Sequence, residues 1–313
     1  MSNAFLFPGQ GSQQVGMGKA LAESFAPSRA VFDEVNEALS QDLSKLMFEG
    51  PTDELTLTEN AQPALMAVSL AAMRALEDKG VSLEKVATYV AGHSLGEYSA
   101  LAASGALSVA DAARLLKTRG RAMQEAVPVG EGAMAALLGA ELPQAKELAA
   151  AAAEDDVCEV ANDNAPGQVV ISGAKAAIDR AIKLAPEYGA RRAVPLPVSA
   201  PFHCSLMGPA ADAMQEALAG IEIKAPCVPL VANVLAEPIT DPEEIRKRLV
   251  EQVTGTVRWR ESMLFLQAKD VKAVYEIGAG RVLTGIARRF EGIDAKSVGT
   301  AEEVEAVAGE LAG

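Results

Sequence analysis

Cysteine is scarce in this sequence, and its arrangement excludes two kinds of small scaffold. Only three cysteines occur in 313 residues, and no two form a Cys-x-x-Cys pair. They are Cys158, Cys204 and Cys227. Both a disulfide framework and a metal-finger pattern need paired cysteines at short intervals, so neither is expected. The pattern favours a reducing compartment, the cytoplasm, and a protein without a bound metal.

Positive charge is also in short supply. Lysine and arginine number 28 against 42 aspartate and glutamate residues, which gives a formal net charge of −14 at pH 7. Such a chain does not bind nucleic acid through a broad basic face, and we expect no nucleic-acid partner. Most of the acidity belongs to a solvated surface, but it makes any local group of arginines stand out.

Long apolar runs are absent, although half of the residues are hydrophobic. A membrane-spanning helix needs about 20 consecutive apolar residues, so we expect no membrane association. The N-terminal segment reaches Pro8 and Gly9 without a basic leader, which argues against a signal peptide. The length exceeds that of one average domain, and our default expectation is a monomer with one large domain and a smaller one.

Strand and helix patterns predict an α/β fold with a large and a small domain. Residues 4–7 form a predicted buried strand that ends in a turn, and residues 62–79 form the clearest helix. Further strands are predicted at 86–90, 230–233 and 273–277. The acidic segment 301–313 is a predicted surface helix or tail.

The pattern changes between residues 129 and 196, which we predict to be an inserted small domain. Strands are predicted at 132–139, 157–162, 169–171 and 191–196, with helices at 143–153 and 174–185. This β-α-β-β-α-β order is that of the ferredoxin-like fold. The predicted domains are therefore 1–128 with 197–313, and 129–196.

Ser94 is the strongest candidate nucleophile. It lies in Gly92-His93-Ser94-Leu95-Gly96, between the predicted strand at 86–90 and a helix-forming stretch at 95–103. Strand, tight glycine-flanked turn and helix are the context of a nucleophile elbow, and the backbone N–H of Leu95 would then face a developing oxyanion. The structural alternative is a serine that only caps the helix.

The base follows by elimination, because the chain has only two histidines. His93 adjoins the nucleophile, so it would line the pocket or pack. His203 follows the small domain in an irregular segment, from which a side chain can reach another element, although a buried structural histidine is the alternative. Four aspartates that lie between serine and histidine in the chain, Asp155, Asp156, Asp163 and Asp179, are candidates for a third member, but all four fall in the small domain. A Ser-His dyad is therefore favoured, with Gln252 one candidate to orient the imidazole.

Arg119 projects from the apolar stripe of the helix that begins at Ser108. A buried guanidinium is costly unless it meets an anion. That anion is either an internal carboxylate or, beside an acyl-serine, the distal carboxylate of the substrate acyl group. We favour the second.

Several linked motifs together resemble the malonyl-CoA:acyl-carrier-protein transacylases over essentially the whole chain. They are residues 7–13 (Phe-Pro-Gly-Gln-Gly-Ser-Gln), 92–98 (Gly-His-Ser-Leu-Gly-Glu-Tyr), Arg119, 162–168 (Asn-Asp-Asn-Ala-Pro-Gly-Gln), 199–203 (Ser-Ala-Pro-Phe-His) and 251–253 (Glu-Gln-Val). Phe202 within the fifth motif resembles the malonyl-specific form.

The resemblance implies an α/β-hydrolase-like large domain with a mainly parallel sheet and an inserted ferredoxin-like small domain. It also implies a role for each matching residue. Ser94 would carry the malonyl ester, with His203 as base. The backbone N–H groups of Gln10 and Leu95 would form the oxyanion hole, and Arg119 would bind the malonyl carboxylate. Gln252 would position His203 or the substrate, and Asn162 would lie near the cleft between the domains.

The resemblance also implies ping-pong transfer of malonyl from coenzyme A to the phosphopantetheine thiol of an acidic acyl carrier protein, for fatty-acid synthesis and without a permanently bound cofactor. The candidate docking residues are two arginine pairs, Arg191 with Arg192 and Arg288 with Arg289; ordinary solvated arginines are the alternative.

The sequence offers three alternatives to this function, of which we set one aside. A serine esterase or thioesterase could use the same elbow, and a carrier-binding scaffold could keep the fold without catalysis. Residues 278–283 follow a strand as a nucleotide-binding loop does, but the third glycine of that fingerprint is missing, and we set nucleotide binding aside.

Overall fold

A computed structural model describes residues 2–311, whose strands form two separate β-sheets. The helices are α1 Lys19–Ser24, α2 Ala26–Leu39, α3 Leu43–Glu49, α4 Thr52–Thr56, α5 Thr58–Asp78, α6 Leu83–Val86, α7 Gly96–Ala103, α8 Val109–Glu125, α9 Leu142–Ala153, α10 Lys175–Leu184, α11 Gly208–Ala219, α12 Pro242–Thr254, α13 Trp259–Ala268, α14 Val282–Ala287 and α15 Ala301–Leu311. The strands are β1 Ser2–Phe7, β2 Tyr89–Gly92, β3 Gly132–Leu138, β4 Cys158–Ala165, β5 Gln168–Ala174, β6 Arg192–Pro195, β7 Leu230–Val231, β8 Pro238–Ile239, β9 Val271–Ile277 and β10 Asp294–Val298.

The larger sheet has six strands in the order β10-β9-β1-β2-β7-β8. Its neighbours are parallel except at the β7–β8 edge, which is antiparallel. Because β1 and β2 are central and parallel, their carboxyl ends lie side by side, and the turns that follow them meet at one edge of the sheet. The predicted α/β class with a mainly parallel sheet is confirmed.

The smaller sheet is antiparallel and has the order β4-β5-β3-β6. With α9 and α10 this is the predicted ferredoxin-like arrangement, and these helices pack on the sheet through a core of their own. The exact residue limits proposed above for the two domains stay a prediction.

Helix α5 is the centre of the large core. Seventeen of its 21 residues are buried, and it packs against α2, α7 and α8. A helix that is apolar on nearly every side must be enclosed by other elements, which explains why its sequence shows a broad apolar pattern. It begins at Thr58, four residues before the predicted start, and ends at Asp78.

Two predicted strands were wrong in extent. Residues 83–86 form α6, so the strand predicted at 86–90 begins only at Tyr89 and continues to Gly92. A short apolar run does not distinguish a strand from a buried helical turn. The strand predicted at 230–233 stops at Val231, because Asn233 leaves the sheet to bind the turn after β2.

The segment between α12 and α13 joins the two parts. The backbone N–H of Val257 donates to the carbonyl of Ala161 in β4 over 2.9 Å, and that of Asp163 donates back to Val257 over 3.0 Å. The buried Asp163 carboxylate also pairs with Arg260 of α13 at 2.9 Å. These contacts fix β4, and with it Asn162, against the large sheet.

The helix predicted near the C-terminus is present in the residues that the structure describes. Helix α15 occupies residues 301–311 and buries one apolar side, while residues 312 and 313 lie outside the described residues. Within residues 2–311, no helix is long and apolar enough to span a membrane.

Candidate active site

The turn between β2 and α7 is tight enough to require glycine at two positions. A Cβ on Gly92 would lie 1.9 Å from the backbone of Gly96, and a Cβ on Gly96 would lie 2.2 Å from the carbonyl oxygen of Phe7. Ser94 itself has a φ of 53°, a left-handed conformation that costs a serine energy. The chain therefore holds Ser94 on a strained turn at the sheet edge, as a nucleophile elbow does.

Hydrogen bonds from Asn233 and Glu97 stabilise this turn. The Asn233 amide accepts from the backbone N–H of Ser94 over 2.8 Å and donates to the carbonyl of Gly92 over 2.7 Å. The backbone N–H of Asn233 in turn donates to Glu97 over 2.6 Å. Burial raises the pKa of Glu97 to about 8, against the lowering effect of hydrogen bonds from Asn233 and Gln252 and of the Arg119 charge.

His203 lies against Ser94, with 2.7 Å between Nε2 and the serine Oγ. Its Nδ1 lies 2.9 Å from the backbone carbonyl oxygen of Gln252. A carbonyl can only accept, so Nδ1 carries the proton and Nε2 is free to accept the serine proton. The structure thus brings the predicted pair together and leaves the imidazole in the tautomer that a base needs.

The resting imidazole is neutral. Burial, together with the nearby Arg119 charge, lowers the pKa of His203 to about 3, while the hydrogen bond to Gln252 acts in the opposite direction. A proton taken from Ser94 therefore needs a developing negative charge nearby to stabilise the imidazolium.

The four aspartates considered as a third catalytic group lie elsewhere. Asp163 pairs with Arg260, Asp156 with Arg180, and Asp179 with Lys175, while Asp155 is exposed. The group that His203 contacts is the Gln252 main chain, so the arrangement is a dyad oriented by a backbone carbonyl.

Arg119 is 1% exposed and lies 3.2 Å from the Ser94 Oγ through Nη2. Nη1 donates to Gln62 over 2.8 Å and Nη2 to Gln252 over 2.8 Å, so both partners are neutral amide oxygens. Arg119 forms no ion pair with a carboxylate within residues 2–311, and its Nε has no hydrogen-bond partner there. Of the two anions considered from sequence, the internal carboxylate is not in contact with Arg119.

The pattern of α8 is as predicted. Ser108 caps the helix through its side chain, and the apolar stripe that includes Leu115, Leu116 and Met123 is buried together with Arg119. Burial lowers the pKa of Arg119, against the effect of Tyr98 and Glu97. A guanidinium remains charged under these conditions, because its ordinary pKa is so high.

The backbone N–H groups of Gln10 and Leu95 are free to bind an oxyanion. Neither donates a hydrogen bond to any residue that the structure describes. Gln10 lies on the turn after β1 and Leu95 directly after Ser94, so the two donors come from adjacent parallel strands. Both residues line the same cavity as Ser94.

That cavity has a volume of about 860 Å³ and lies between the two sheets. Its wall contains Ser94, His203 and Arg119, and also Asn162 of β4 and Phe202. Gln252 is fully buried behind the wall, where its side chain touches Arg119 and its main chain touches His203. The volume exceeds what a three-carbon acyl group needs and leaves room for an extended thiol arm.

Three polar residues of the site were missed from the sequence. Gln62 and Asn233 gave no local signal, because a buried amide looks like any surface amide in sequence. Glu97 lies within the quoted 92–98 motif but was given no role. His93, left undecided, does both things considered: its ring lines the cavity, packs on Trp259 and contacts Asn164 over 2.9 Å.

The two arginine pairs lie outside the cavity wall. All four arginines, Arg191, Arg192, Arg288 and Arg289, are exposed, and none forms an ion pair with any described residue. Arg289 donates to the carbonyl of Pro166, and the neighbouring Gly167 accepts from Gly139, which Arg191 contacts. One member of each pair therefore lies near the same β4–β5 turn.

The loop at 278–283 is already occupied at the helix end where a phosphate would bind. The buried Glu276 carboxylate accepts from the backbone N–H groups of Leu283 and Thr284 over 3.0 and 2.7 Å. The start of α14 thus has an internal anion, which agrees with setting nucleotide binding aside. In the described part of the chain, no group of three or more histidine, cysteine, aspartate or glutamate side chains could hold a metal ion.

Comparison with known proteins places these features in a family. A family model described as an acyl transferase domain matches residues 4–307. A malonyl CoA-acyl carrier protein transacylase from Bacillus subtilis (strain 168) is 47% identical over 287 residues, covering 91% of this chain and 89% of the relative.

Two solved structures extend the likeness to the fold. An acyl-carrier-protein-S-malonyltransferase from Bartonella henselae is 56% identical, with a TM-score of 0.97 and full coverage of both chains (100% and 100%). A malonyl-transacylase solved in complex with a type II PKS acyl-carrier protein is 40% identical, with a TM-score of 0.95, covering 99% of this chain and 100% of that one.

Proposed function

The chain belongs to the acyl transferase domain family, and from that premise we propose that it transfers a malonyl group from malonyl-CoA to the phosphopantetheine thiol of an acyl carrier protein. The observation that carries the proposal is Arg119, a buried cation without a contacting carboxylate among the described residues, 3.2 Å from the Ser94 hydroxyl. An acyl group that bears its own carboxylate would supply the missing anion.

In the first half-reaction, Ser94 Oγ attacks the thioester carbonyl while His203 Nε2 takes the hydroxyl proton. The carbonyl oxygen becomes an oxyanion, which the backbone N–H groups of Gln10 and Leu95 would bind. When the tetrahedral intermediate collapses, the C–S bond breaks and the coenzyme A sulfur leaves with the proton from His203. The product is a malonyl ester on Ser94.

In the second half-reaction, the carrier thiol takes the place of coenzyme A. His203 removes the thiol proton, the sulfur attacks the ester carbonyl, and the same two N–H groups stabilise the second oxyanion. The C–O bond to Ser94 then breaks, and the serine oxygen recovers its proton from His203. Atoms balance over the two steps, so the chain's own side chains and main chain suffice for the chemistry described.

Hydrolysis of the ester must be slow for transfer to succeed. The malonyl carboxylate on Arg119 would fix the acyl chain, and a carbonyl so held is open to attack only along the path of the thiol arm. Asn162 on the cavity wall would contact the arm or the acyl group.

The test is to mix the protein with malonyl-CoA and follow intact mass and free coenzyme A, with and without carrier protein. We expect one malonyl group on the wild-type protein, none on Ser94→Ala, and rapid loss of the ester only when carrier protein is added. Rapid release without carrier protein would instead favour an esterase, and no acylation at all would favour a non-catalytic scaffold.

Docking of the carrier protein is a separate proposal. An acidic partner approaching a chain of net charge −14 needs a local positive surface. The two arginine pairs, 191–192 and 288–289, supply exposed cations without ion pairs among the described residues, and one member of each pair lies near the β4–β5 turn.

A monomeric state, a cytoplasmic location and use in fatty-acid synthesis stay predictions. The free thiols of Cys158, Cys204 and Cys227 support the cytoplasmic location.

A further inference from the structure

Glu97 is a buried carboxylate that the proposed reaction leaves without a role. It lies on α7, three residues after Ser94, and is 1% exposed. One of its oxygens accepts from the backbone N–H of Asn233, and the other accepts from the side-chain Nε2 of Gln252 over 2.5 Å. Both contacts are with donors, so this arrangement stabilises the ionised carboxylate of Glu97, which accepts, against the burial that raises its pKa to about 8.

The contact to Gln252 determines which way round that amide lies. Both hydrogens of its Nε2 are used, one on Glu97 and one on the backbone carbonyl of Ser94, 2.8 Å away. The amide oxygen must then point the other way, where it accepts from Arg119 over 2.8 Å. A flipped amide would place hydrogens against a guanidinium, which has donors and no acceptor.

Arg119 depends on this orientation because amides are its only hydrogen-bond partners besides the Ser94 hydroxyl in the described chain. One is Gln62 on Nη1, and the other is Gln252 on Nη2. Loss of the second would free Nη2 from the position at which it faces Ser94. The Gln62 contact alone would leave the guanidinium able to rotate about a single hydrogen bond.

We propose that Glu97 is a positioning residue for substrate selection, which fixes the Gln252 amide and through it the direction in which Arg119 meets the malonyl carboxylate. The proposal rests on the proposed function, since it concerns how Arg119 selects a carboxylate. Glu97 touches no reacting atom. Its contact with Asn233 supports the Ser94 turn for every substrate, whereas its contact with Gln252 should affect the substrates that use Arg119.

The variant Glu97→Gln tests this selectively. Its amide oxygen can still accept from Asn233, which preserves the support of the elbow, while its NH₂ group would face the NH₂ group of Gln252. We expect single-turnover acylation of Ser94 by malonyl-CoA to slow about tenfold or more, the loss typical of a hydrogen bond to a charged group, and acylation by acetyl-CoA to change less than about threefold.

Two controls separate positioning from stability. Glu276→Gln alters a carboxylate that is equally buried and also accepts two hydrogen bonds, in its case from backbone N–H groups at the start of α14. It should lower the melting temperature and leave the malonyl-to-acetyl ratio unchanged. In an Arg119→Ala background, Glu97→Gln should have almost no further effect on malonyl acylation, because the residue through which it acts is gone.

Equal losses with both substrates, or an undiminished effect of Glu97→Gln in the Arg119→Ala background, would overturn the proposal. If Glu97→Gln does not fold, Gln252→Met removes the same amide from the other side and must reproduce the malonyl-selective loss; a retained preference would be equally damaging. Failure of the proposed function is distinguishable, because the wild-type protein itself would then take up no malonyl group.

Discussion

Arg119 shows how a single buried charge can narrow the chemistry of a general nucleophile. Ser94 and His203 alone could cleave many esters. A guanidinium held 3.2 Å from the serine Oγ by two amide oxygens adds a requirement for an anion at a fixed distance from the reacting carbonyl. On the proposed function, a substrate carboxylate would offset the free-energy cost of burying the charge, so discrimination against uncharged acyl groups would follow from the burial itself.

Replacing Arg119 by alanine should therefore change which substrate reacts. We expect kcat/KM for acylation by malonyl-CoA to fall about 10- to 100-fold or more, as for the loss of hydrogen bonds to a charged group, while acylation by acetyl-CoA is maintained or rises. Arg119→Lys should recover little, because an ammonium cannot form the paired contact. A parallel fall with both substrates, measured by intact mass, would contradict this assignment.

The low pKa of His203 predicts the acid side of the pH profile. With a pKa of about 3 instead of 6.5, the imidazole of the free protein stays neutral as the pH falls. kcat/KM for malonyl acylation should thus remain flat from pH 8 down to about 5, without the decline near 6.5 that an ordinary histidine causes. In Arg119→Ala, removal of the neighbouring charge should raise the pKa of His203, so that the decline of kcat/KM in acid begins at a higher pH. A wild-type inflection near pH 6.5 would refute the prediction.

The same shift affects stability with a definite sign. Between about pH 6.5 and pH 3 the unfolded chain binds a proton at this position and the folded chain does not. The contribution of His203 to the free energy of unfolding is therefore full above pH 6.5 and is lost progressively as the pH falls toward 3. The free energy of unfolding can be measured by denaturation of wild type and His203→Gln at pH 7.5 and 5. The advantage of wild type over the variant should be smaller at pH 5.

At the scale of elements, the site depends on how closely α7 passes the ends of β1 and β2. Gly92 and Gly96 lie back to back, and either side chain would overlap main-chain atoms that cannot move aside. This close approach brings the free N–H of Leu95 next to the turn that carries Gln10. The two oxyanion donors therefore depend on the packing of glycine, although they lie on different segments.

Gly92→Ala should consequently disrupt the fold more than the chemistry of one methyl group suggests. A Cβ at 1.9 Å from main-chain atoms forces the strand and helix apart, and we expect a loss of about 3 kcal/mol or more in the free energy of unfolding. Gly285→Ala is the matched control: it lies in α14 with nothing within 4 Å of the added carbon, and should be neutral or stabilising by up to about 1 kcal/mol. Urea denaturation of the three proteins would show an equal effect of both changes if the packing argument is wrong.

These elements also show what could be predicted from the sequence. The elbow was accessible because strand, glycine-flanked turn and helix are local patterns, and His203 was accessible because only one other histidine competes. Glu97 and Asn233 were not, since their importance comes from partners 136 residues apart along the chain. Strand limits failed for a similar reason: whether Val86 is helical and whether Asn233 leaves the sheet are decided by tertiary contacts, and β8 and β10 were not predicted at all.

At the scale of the whole molecule, the small sheet completes the site instead of only covering it. The edge strand β4 is bound to the segment that follows α12, the helix of Gln252, and the buried Asp163 ties it to Arg260. The same strand supplies Asn162 to the cavity and leads into the turn next to Arg289. The proposed acyl selection inside the cleft and the proposed partner docking outside it would thus share one structural element.

Charge reversal at the arginine pairs tests the docking face. Changing 191–192 or 288–289 to glutamate should raise the apparent KM for carrier protein about tenfold or more at low salt and leave the KM for malonyl-CoA unchanged, because the altered residues line no part of the cavity. The effect should weaken as salt is added, since exposed charges are screened over about 10 Å at 0.1 M.

The added negative charge of such variants could by itself repel an acidic carrier protein from any side. Reversal of Arg29 and Arg121, two exposed arginines on α2 and α8 without ion pairs among the described residues, changes the net charge by the same amount on other faces. If that control raises the carrier-protein KM as much as the 191–192 change does, the field of the whole molecule is responsible and no docking face is defined. A rise confined to the proposed pairs would locate the partner beside the β4–β5 turn, from which its thiol arm must extend into the cavity to reach Ser94.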